Sequence, residues 1–195
     1  MALYIFDMGE VVAGNTDVFP AVFQQLGIPA EQFYVYAGSN LERLMNGEIS
    51  VEDFWARFSS TYGKKVKEEL FAKYFNPHLN QHVVAILRHL KNTDRVVCGT
   101  NTFDPHFDYL ASQGYYDLFD AVYASNKIGV SKPHPDFYNK VLIAEGVKPA
   151  DAIFIDDAEV NVISAGKLGI HSILFTDSVS LRSEIDRHRS ETNPK

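Results

Sequence analysis

Leu3-Tyr4-Ile5-Phe6-Asp7-Met8-Gly9-Glu10-Val11-Val12 is an apolar run broken abruptly by a carboxylate and a glycine-containing turn. A short, uninterrupted apolar run suits a parallel strand buried on both faces, and the turn after it exposes the side chain at the strand's carboxyl end. Comparable runs at residues 96–98, 121–123, 152–155 and 172–175 alternate with helix-like stretches at 81–91, 135–145 and 160–168. Val84, Leu87 and Leu90 fall at helical spacing in the first of these, Phe137, Val141 and Leu142 in the second, and Gly169 stands where the third should end. Strands alternating with helices predict an α/β fold, a parallel sheet covered by helices on both faces.

Residues 15–80 break that alternation. They hold no strand-like run and many aromatics, among them Phe19, Phe33, Phe54, Trp55 and Phe71, and Ser50-Val51-Glu52-Asp53 reads as a capping box. The expected division is a core of residues 1–14 and 81–195 with a helical insertion, 15–80, above the strand ends. The aromatics are expected to form the insertion's own core rather than a cofactor pocket. The polar tail, 187–195, is expected to fray.

The 195 residues fit one domain with a modest insertion, and the composition, 46% apolar and 22% charged, is that of an ordinary globular chain. A net charge of −7 argues against nucleic-acid binding and against an anionic membrane surface, though a local cation can still admit an anionic substrate. No apolar run approaches the roughly 18 residues of a membrane span, and the N-terminus lacks a basic region followed by an apolar one. The expectation is a cytoplasmic protein, monomer or homodimer. The single cysteine, Cys98, forms no intramolecular disulfide and reads as a small core hydrophobe.

Three further strand-like runs lead to groups with chemistry: Thr100-Asn101, Lys132 in Val130-Ser131-Lys132-Pro133, and Asp156-Asp157. In an open parallel sheet, ligands bind beyond the carboxyl ends of the strands. Taken singly, an Asp after a strand is usually a turn residue, Asp-Asp before a helix an N-cap pair, and Lys-Pro an exposed turn. In this order they compose a phosphoryl-transfer site. A carboxylate supplies the nucleophile, two more hold a hard cation, and a lysine and a hydroxyl neutralise phosphate oxygens. Three carboxylates would repel a phosphate dianion without a cation, so Mg²⁺ is implied. Pro133 is expected to hold Lys132 at a helix entry. Asn161 is expected to orient the acidic loop or else to lie on a helix surface, and His78 and His82 to be solvated loop residues rather than a metal pair.

These four segments resemble the four signature motifs of the haloacid dehalogenase (HAD) superfamily, whose phosphatases are phosphorylated on an Asp that is then hydrolysed. The resemblance covers the whole chain and implies a HAD-like Rossmannoid three-layer sheet with a small helical cap inserted after the first strand. It implies Asp7 as nucleophile, Thr100 and Asn101 with Lys132 as phosphate-binding groups, and Asp7, Asp156, Asp157 and the Gly9 backbone carbonyl as Mg²⁺ ligands. Phe6-Asp7-Met8-Gly9 with Thr100-Asn101-Thr102 is similar, more narrowly, to bacterial sugar phosphatases related to the α-D-glucose-1-phosphate phosphatases. The substrate so implied is a small phosphorylated metabolite, with Asn40, Glu42, Arg43 and Asn46 of the insertion as candidate contacts.

One group departs from that pattern. Most phosphatases of the superfamily carry a second Asp two positions after the nucleophile, as proton donor and base; here that position is Gly9. General acid–base help is worth about 10²–10⁴ in rate. Its absence costs least where the leaving group is already acidic, which favours sugar 1-phosphates or aryl phosphates, unless Glu10 substitutes. Two other activities compete. Metal-free 2-haloacid dehalogenation gains nothing from the Asp156-Asp157 pair. A weakened binding or regulatory module has no use for the retained Asp7 and Lys132.

Overall fold

The computed structural model describes residues 1–192. Five parallel strands form the sheet: β1 (Leu3–Phe6), β4 (Arg95–Thr100), β5 (Ala121–Ala124), β6 (Ala152–Asp156) and β7 (His171–Leu174), in the order β5-β4-β1-β6-β7. The chain moves outward from β1 through β4 to β5, then returns to the other side of β1 with β6. That reversal opens a crevice at the carboxyl ends of β1, β4 and β6, where Asp7, Thr100 and Asp156 stand.

The pleat of β1 explains its sequence. Tyr4 and Phe6 enter the larger apolar cluster on one face, while Leu3 and Ile5 enter the cluster on the other. Val96 and Cys98 likewise face the first cluster and Val97 the second. No side of either strand meets water, so both read as continuous apolar runs rather than alternating ones. Burial drives the Cys98 thiol well above its ordinary pKa, in keeping with a packing role.

Between β2 (Ala13–Gly14) and β3 (His78–Leu79) lie five helices: α1 (Phe19–Leu26), α2 (Ala30–Ala37), α3 (Asn40–Met45), α4 (Val51–Tyr62) and α5 (Leu70–Tyr74). The two-residue strands pair antiparallel, Ala13 with Leu79 and Gly14 with His78, and hold the two ends of the helical segment together. The Ser50 hydroxyl accepts the Asp53 N–H at 3.1 Å and caps α4. Phe33, Phe54, Trp55, Phe58 and Phe71 do form a packed interior, with ring centroids 5.0 Å apart for Phe33–Phe58 and 4.7 Å for Trp55–Phe71. That interior is continuous with the core through Phe71–Phe103 at 4.8 Å.

The remaining helices are α6 (Gln81–Leu90), α7 (Asp104–Ser112), α8 (Ser125–Ile128), α9 (Pro135–Glu145), α10 (Glu159–Lys167) and α11 (Ser178–Thr192). Several sequence expectations need correction. The polar tail is helical as far as Thr192, because α11 buries Leu181 and Ile185 and Arg189 pairs with Asp94; residues 193–195 lie outside the described residues. His78 stands on β3 and His82 in the first turn of α6, which Asn80 caps by accepting the Val83 N–H. Pro133, as expected, stands just before a helix: α9 opens at Pro135 behind a cap by His134.

The helical segment approaches the core backbone closely at Gly47. Gly47 has φ +70, and a Cβ there would come within 2.3 Å of the Asn126 carbonyl oxygen. Beside it the buried Ser125 hydroxyl donates to the Met45 carbonyl at 2.7 Å and accepts the Thr102 N–H at 3.0 Å. Gly47→Ala is therefore expected to lose about 2 kcal/mol or more of stability, from left-handed strain and the clash together. Urea unfolding checks this, against a Gly63→Ala control, whose left-handed glycine faces open space.

Candidate active site

Asp7 leaves the sheet with its backbone N–H on the Ile155 carbonyl at 2.9 Å, so β1 and β6 fix its start. The chain then turns tightly. The Val12 and Ala13 N–H groups both bond the Met8 carbonyl, and Glu10 adopts φ 54. A Cβ on Gly9 would stand 2.9 Å from the Thr16 hydroxyl oxygen.

Lys132 organises the charges. Its ammonium, 1% exposed, lies 2.8 Å from Asp7 Oδ1 and 2.6 Å from Asp156 Oδ2. The other oxygen of Asp156 accepts the Ala158 N–H and the Asn161 side-chain amide, each at 2.9 Å. Asn161 thus fixes the acidic loop, as its sequence position implied. Burial alone would lower the Lys132 pKa, but the Asp7 and Asp156 carboxylates outweigh it and hold the lysine above its ordinary value. Burial pushes Asp7 up to about 7; Lys132 opposes the shift and the Asp156 charge adds to it. Asp157, exposed at the rim, is also raised, by desolvation first and Asp156 second.

Thr100 and Asn101 sit at the end of β4 but act differently. The Thr100 hydroxyl has only a long contact, 3.4 Å, to the Asn101 carbonyl, and it faces the same cavity as Asp7. Both ends of the Asn101 amide are taken by the Lys132 backbone: Nδ2 donates to the Lys132 carbonyl and Oδ1 accepts the Lys132 N–H, each at 2.8 Å. The Asn101 side chain positions the lysine, and Asn101 lines the same cavity as Asp7 and Thr100.

Asp7, Asp156 and Asp157 each offer a carboxylate oxygen within 4.8 Å of the other two. This donor set suits a hard divalent cation, which takes carboxylate and carbonyl oxygens and keeps much of its water. Asp7 and Asp157 are the better placed, since both oxygens of Asp156 already accept hydrogen bonds.

The cavity measures about 240 Å³. Asp7, Thr100, Lys132 and Asp157 line it together with the apolar Val18, Phe19, Met45, Phe75, Phe103 and Leu110. His106 lines it too, stacked on Phe75 at 3.7 Å with Nε2 3.2 Å from the Phe71 carbonyl. Burial drives its pKa down to about 4, so it is neutral near pH 7. Of the insertion residues expected to meet a ligand, Arg43 pairs with Glu48 at 3.2 Å, and none of Asn40, Glu42, Arg43 and Asn46 lines the cavity; Met45 does. Thr16 and His106 escaped the sequence reading because nothing local marks them.

A family model described as haloacid dehalogenase-like hydrolase matches residues 4–175. Sesquiterpene phosphatase astK of Aspergillus oryzae is 30% identical over 188 residues, covering 93% of each chain. Among solved structures, a HAD-like family hydrolase from Porphyromonas gingivalis has a TM-score of 0.79 at 23% identity, covering 96% of this chain and 98% of its own. A HAD family enzyme from Bacteroides thetaiotaomicron, solved with magnesium and inorganic phosphate, has a TM-score of 0.72 at 22% identity, covering 90% and 94%. The two structures share this chain's parallel-sheet fold. With a family model that spans nearly all of the sheet and a relative 30% identical along most of its length, the chain belongs to the haloacid dehalogenase-like hydrolases.

Proposed function

We propose that this protein is a Mg²⁺-dependent phosphatase that hydrolyses a small phosphorylated metabolite through an aspartyl phosphate on Asp7. The observation that carries the reading is the Asp7–Lys132–Asp156 arrangement at the carboxyl end of the central strand, with Asp157 and Thr100 at its open side. Asp7 attacks phosphorus in line, and the leaving oxygen departs opposite it. Lys132 bonds one oxygen of Asp7 and offers its charge to the phosphoryl oxygens as they close on the nucleophile. Thr100, lacking a strong partner, donates its hydroxyl to another of these oxygens. Water then releases phosphate and regenerates the carboxylate. Asp7, Asp157 and the Gly9 carbonyl would hold Mg²⁺, with Asp156 behind them. Bound there, the ion offsets the carboxylate charges and those of the substrate dianion. The helices between β2 and β3 serve as a cap over the cavity, on a core of residues 1–14 and 81–195.

Gly9 supplies no proton, which favours an acidic leaving group. A sugar 1-phosphate meets that requirement, because its anomeric oxygen leaves as a hemiacetal. The apolar lining of Val18, Phe19, Phe75 and Phe103 favours an aryl or otherwise apolar ester over a polyol. A relative named as a sesquiterpene phosphatase agrees with an apolar leaving group. The metal-free dehalogenase reading has no role for Asp157, and a purely binding module has none for a nucleophile held ready by Lys132.

Three outcomes follow. Asp7→Asn should abolish phosphate release and EDTA should suppress it reversibly, as measured with 4-nitrophenyl phosphate; metal-independent turnover would contradict the reading. The order of kcat/KM should be aryl phosphate above glucose 1-phosphate above glucose 6-phosphate; an equal or higher value for the 6-phosphate would contradict the leaving-group argument. Because burial raises Asp7 to about 7 and a cation lowers it, adding Mg²⁺ at about pH 7 should release protons. The release should disappear in Asp7→Asn and fade at about pH 9, where the carboxylate is already ionised. Calorimetry in buffers of different ionisation enthalpy measures it.

A further inference from the structure

Thr16 is the nearest side chain to the space above Gly9, with its hydroxyl oxygen 2.9 Å from where a Cβ at that position would stand. It lines the cavity that holds Asp7, Thr100, Lys132 and Asp157. The Thr16 hydroxyl donates to Glu10 Oε1 at 2.9 Å, and the Thr16 N–H donates to the same oxygen at 2.8 Å. The carboxylate therefore binds both groups from outside the cavity, at the exposed end of the turn. With its hydrogen committed to Glu10, the hydroxyl oxygen can only accept hydrogen bonds from whatever occupies the cavity.

We propose that Thr16, held by Glu10, is the positioning residue for the water that hydrolyses the aspartyl phosphate. This rests on the phosphatase reading above and adds to it a role for Thr16, which no motif marks, and a role for Glu10 other than proton donor. One O–H of the water donates to Thr16 Oγ1, which aligns the water oxygen with phosphorus opposite the Asp7 oxygen. The water oxygen forms the new bond to phosphorus. The bond between phosphorus and Asp7 breaks, its electron pair returns to the carboxylate, and both water hydrogens leave on dihydrogen phosphate. Glu10 stays ionised throughout; its part is to keep the hydroxyl turned as an acceptor. The first step, formation of the aspartyl phosphate, needs no acceptor at this position. Loss of Thr16 should thus slow only the second step.

Rapid mixing with 4-nitrophenyl phosphate and Mg²⁺ separates the two steps. Thr16→Val should give a burst of one nitrophenolate per chain at close to the wild-type first-turnover rate. A steady state roughly tenfold or more slower should follow, the worth of one hydrogen bond made in the transition state. Intact-mass measurement during that steady state should find the phosphorylated chain. Thr16→Ser, which keeps the hydroxyl, should restore turnover. Glu10→Ala, which leaves Thr16 untouched, should show the same burst at smaller amplitude, and Glu10→Gln, which keeps an acceptor, should recover much of the turnover that Glu10→Ala loses. Unchanged turnover in Thr16→Val, or slower turnover with neither burst nor phosphorylated chain, would overturn the proposal. If the wild-type protein shows no turnover that Asp7→Asn abolishes, the phosphatase reading itself fails, and the role of Thr16 with it.

Discussion

A single buried ammonium, that of Lys132, holds the site together. It bonds Asp7 on β1 and Asp156 on β6, and its backbone is gripped on both sides by Asn101 at the end of β4. Three neighbouring strand ends thus converge on one residue from the loop before α9. Two carboxylates buried this deeply would be costly without the lysine; removing one partner of a buried ion pair costs about 3–5 kcal/mol. The site is therefore built from elements that cannot drift apart without exposing an uncompensated charge.

The same arrangement leaves the Asp7 carboxylate incompletely balanced in the free protein. Lys132 shares its charge between two carboxylates, and burial leaves Asp7 with a pKa of about 7 rather than an ordinary carboxylate value. A further cation beside Asp7 and Asp157 would complete the balance that Lys132 begins. The free protein holds three acidic groups close together against their mutual repulsion, a device that suits a site built to receive both a metal and a phosphate.

Much of this was readable in the sequence where physics makes a pattern local. The strands β1, β4 and β6 stand out because both faces are buried, and their polar ends stand out because the apolar runs stop there. The helices α6 and α9 show their buried stripe, as Val84, Leu87 and Leu90 or Phe137 and Val141. Where structure depends on distant contacts, the pattern was silent. The helix α11 buries Leu181 and Ile185 in an otherwise polar stretch, so it looks like a tail. Strands β2 and β3 are two residues long, too short for any period. That the Asn101 side chain holds the Lys132 backbone appears only in the fold. Thr16 meets Gly9 through a turn whose left-handed residue, Glu10, no propensity would assign.

The central claim is that phosphorus passes through Asp7. Acid quenching during turnover of an aryl phosphate, borohydride reduction of the trapped acyl phosphate and peptide mapping test it directly. The expected result is homoserine in place of Asp7, found only when Mg²⁺ and substrate are both present. Turnover with Asp7 unmodified at every quench time, or homoserine at another carboxylate, would contradict it.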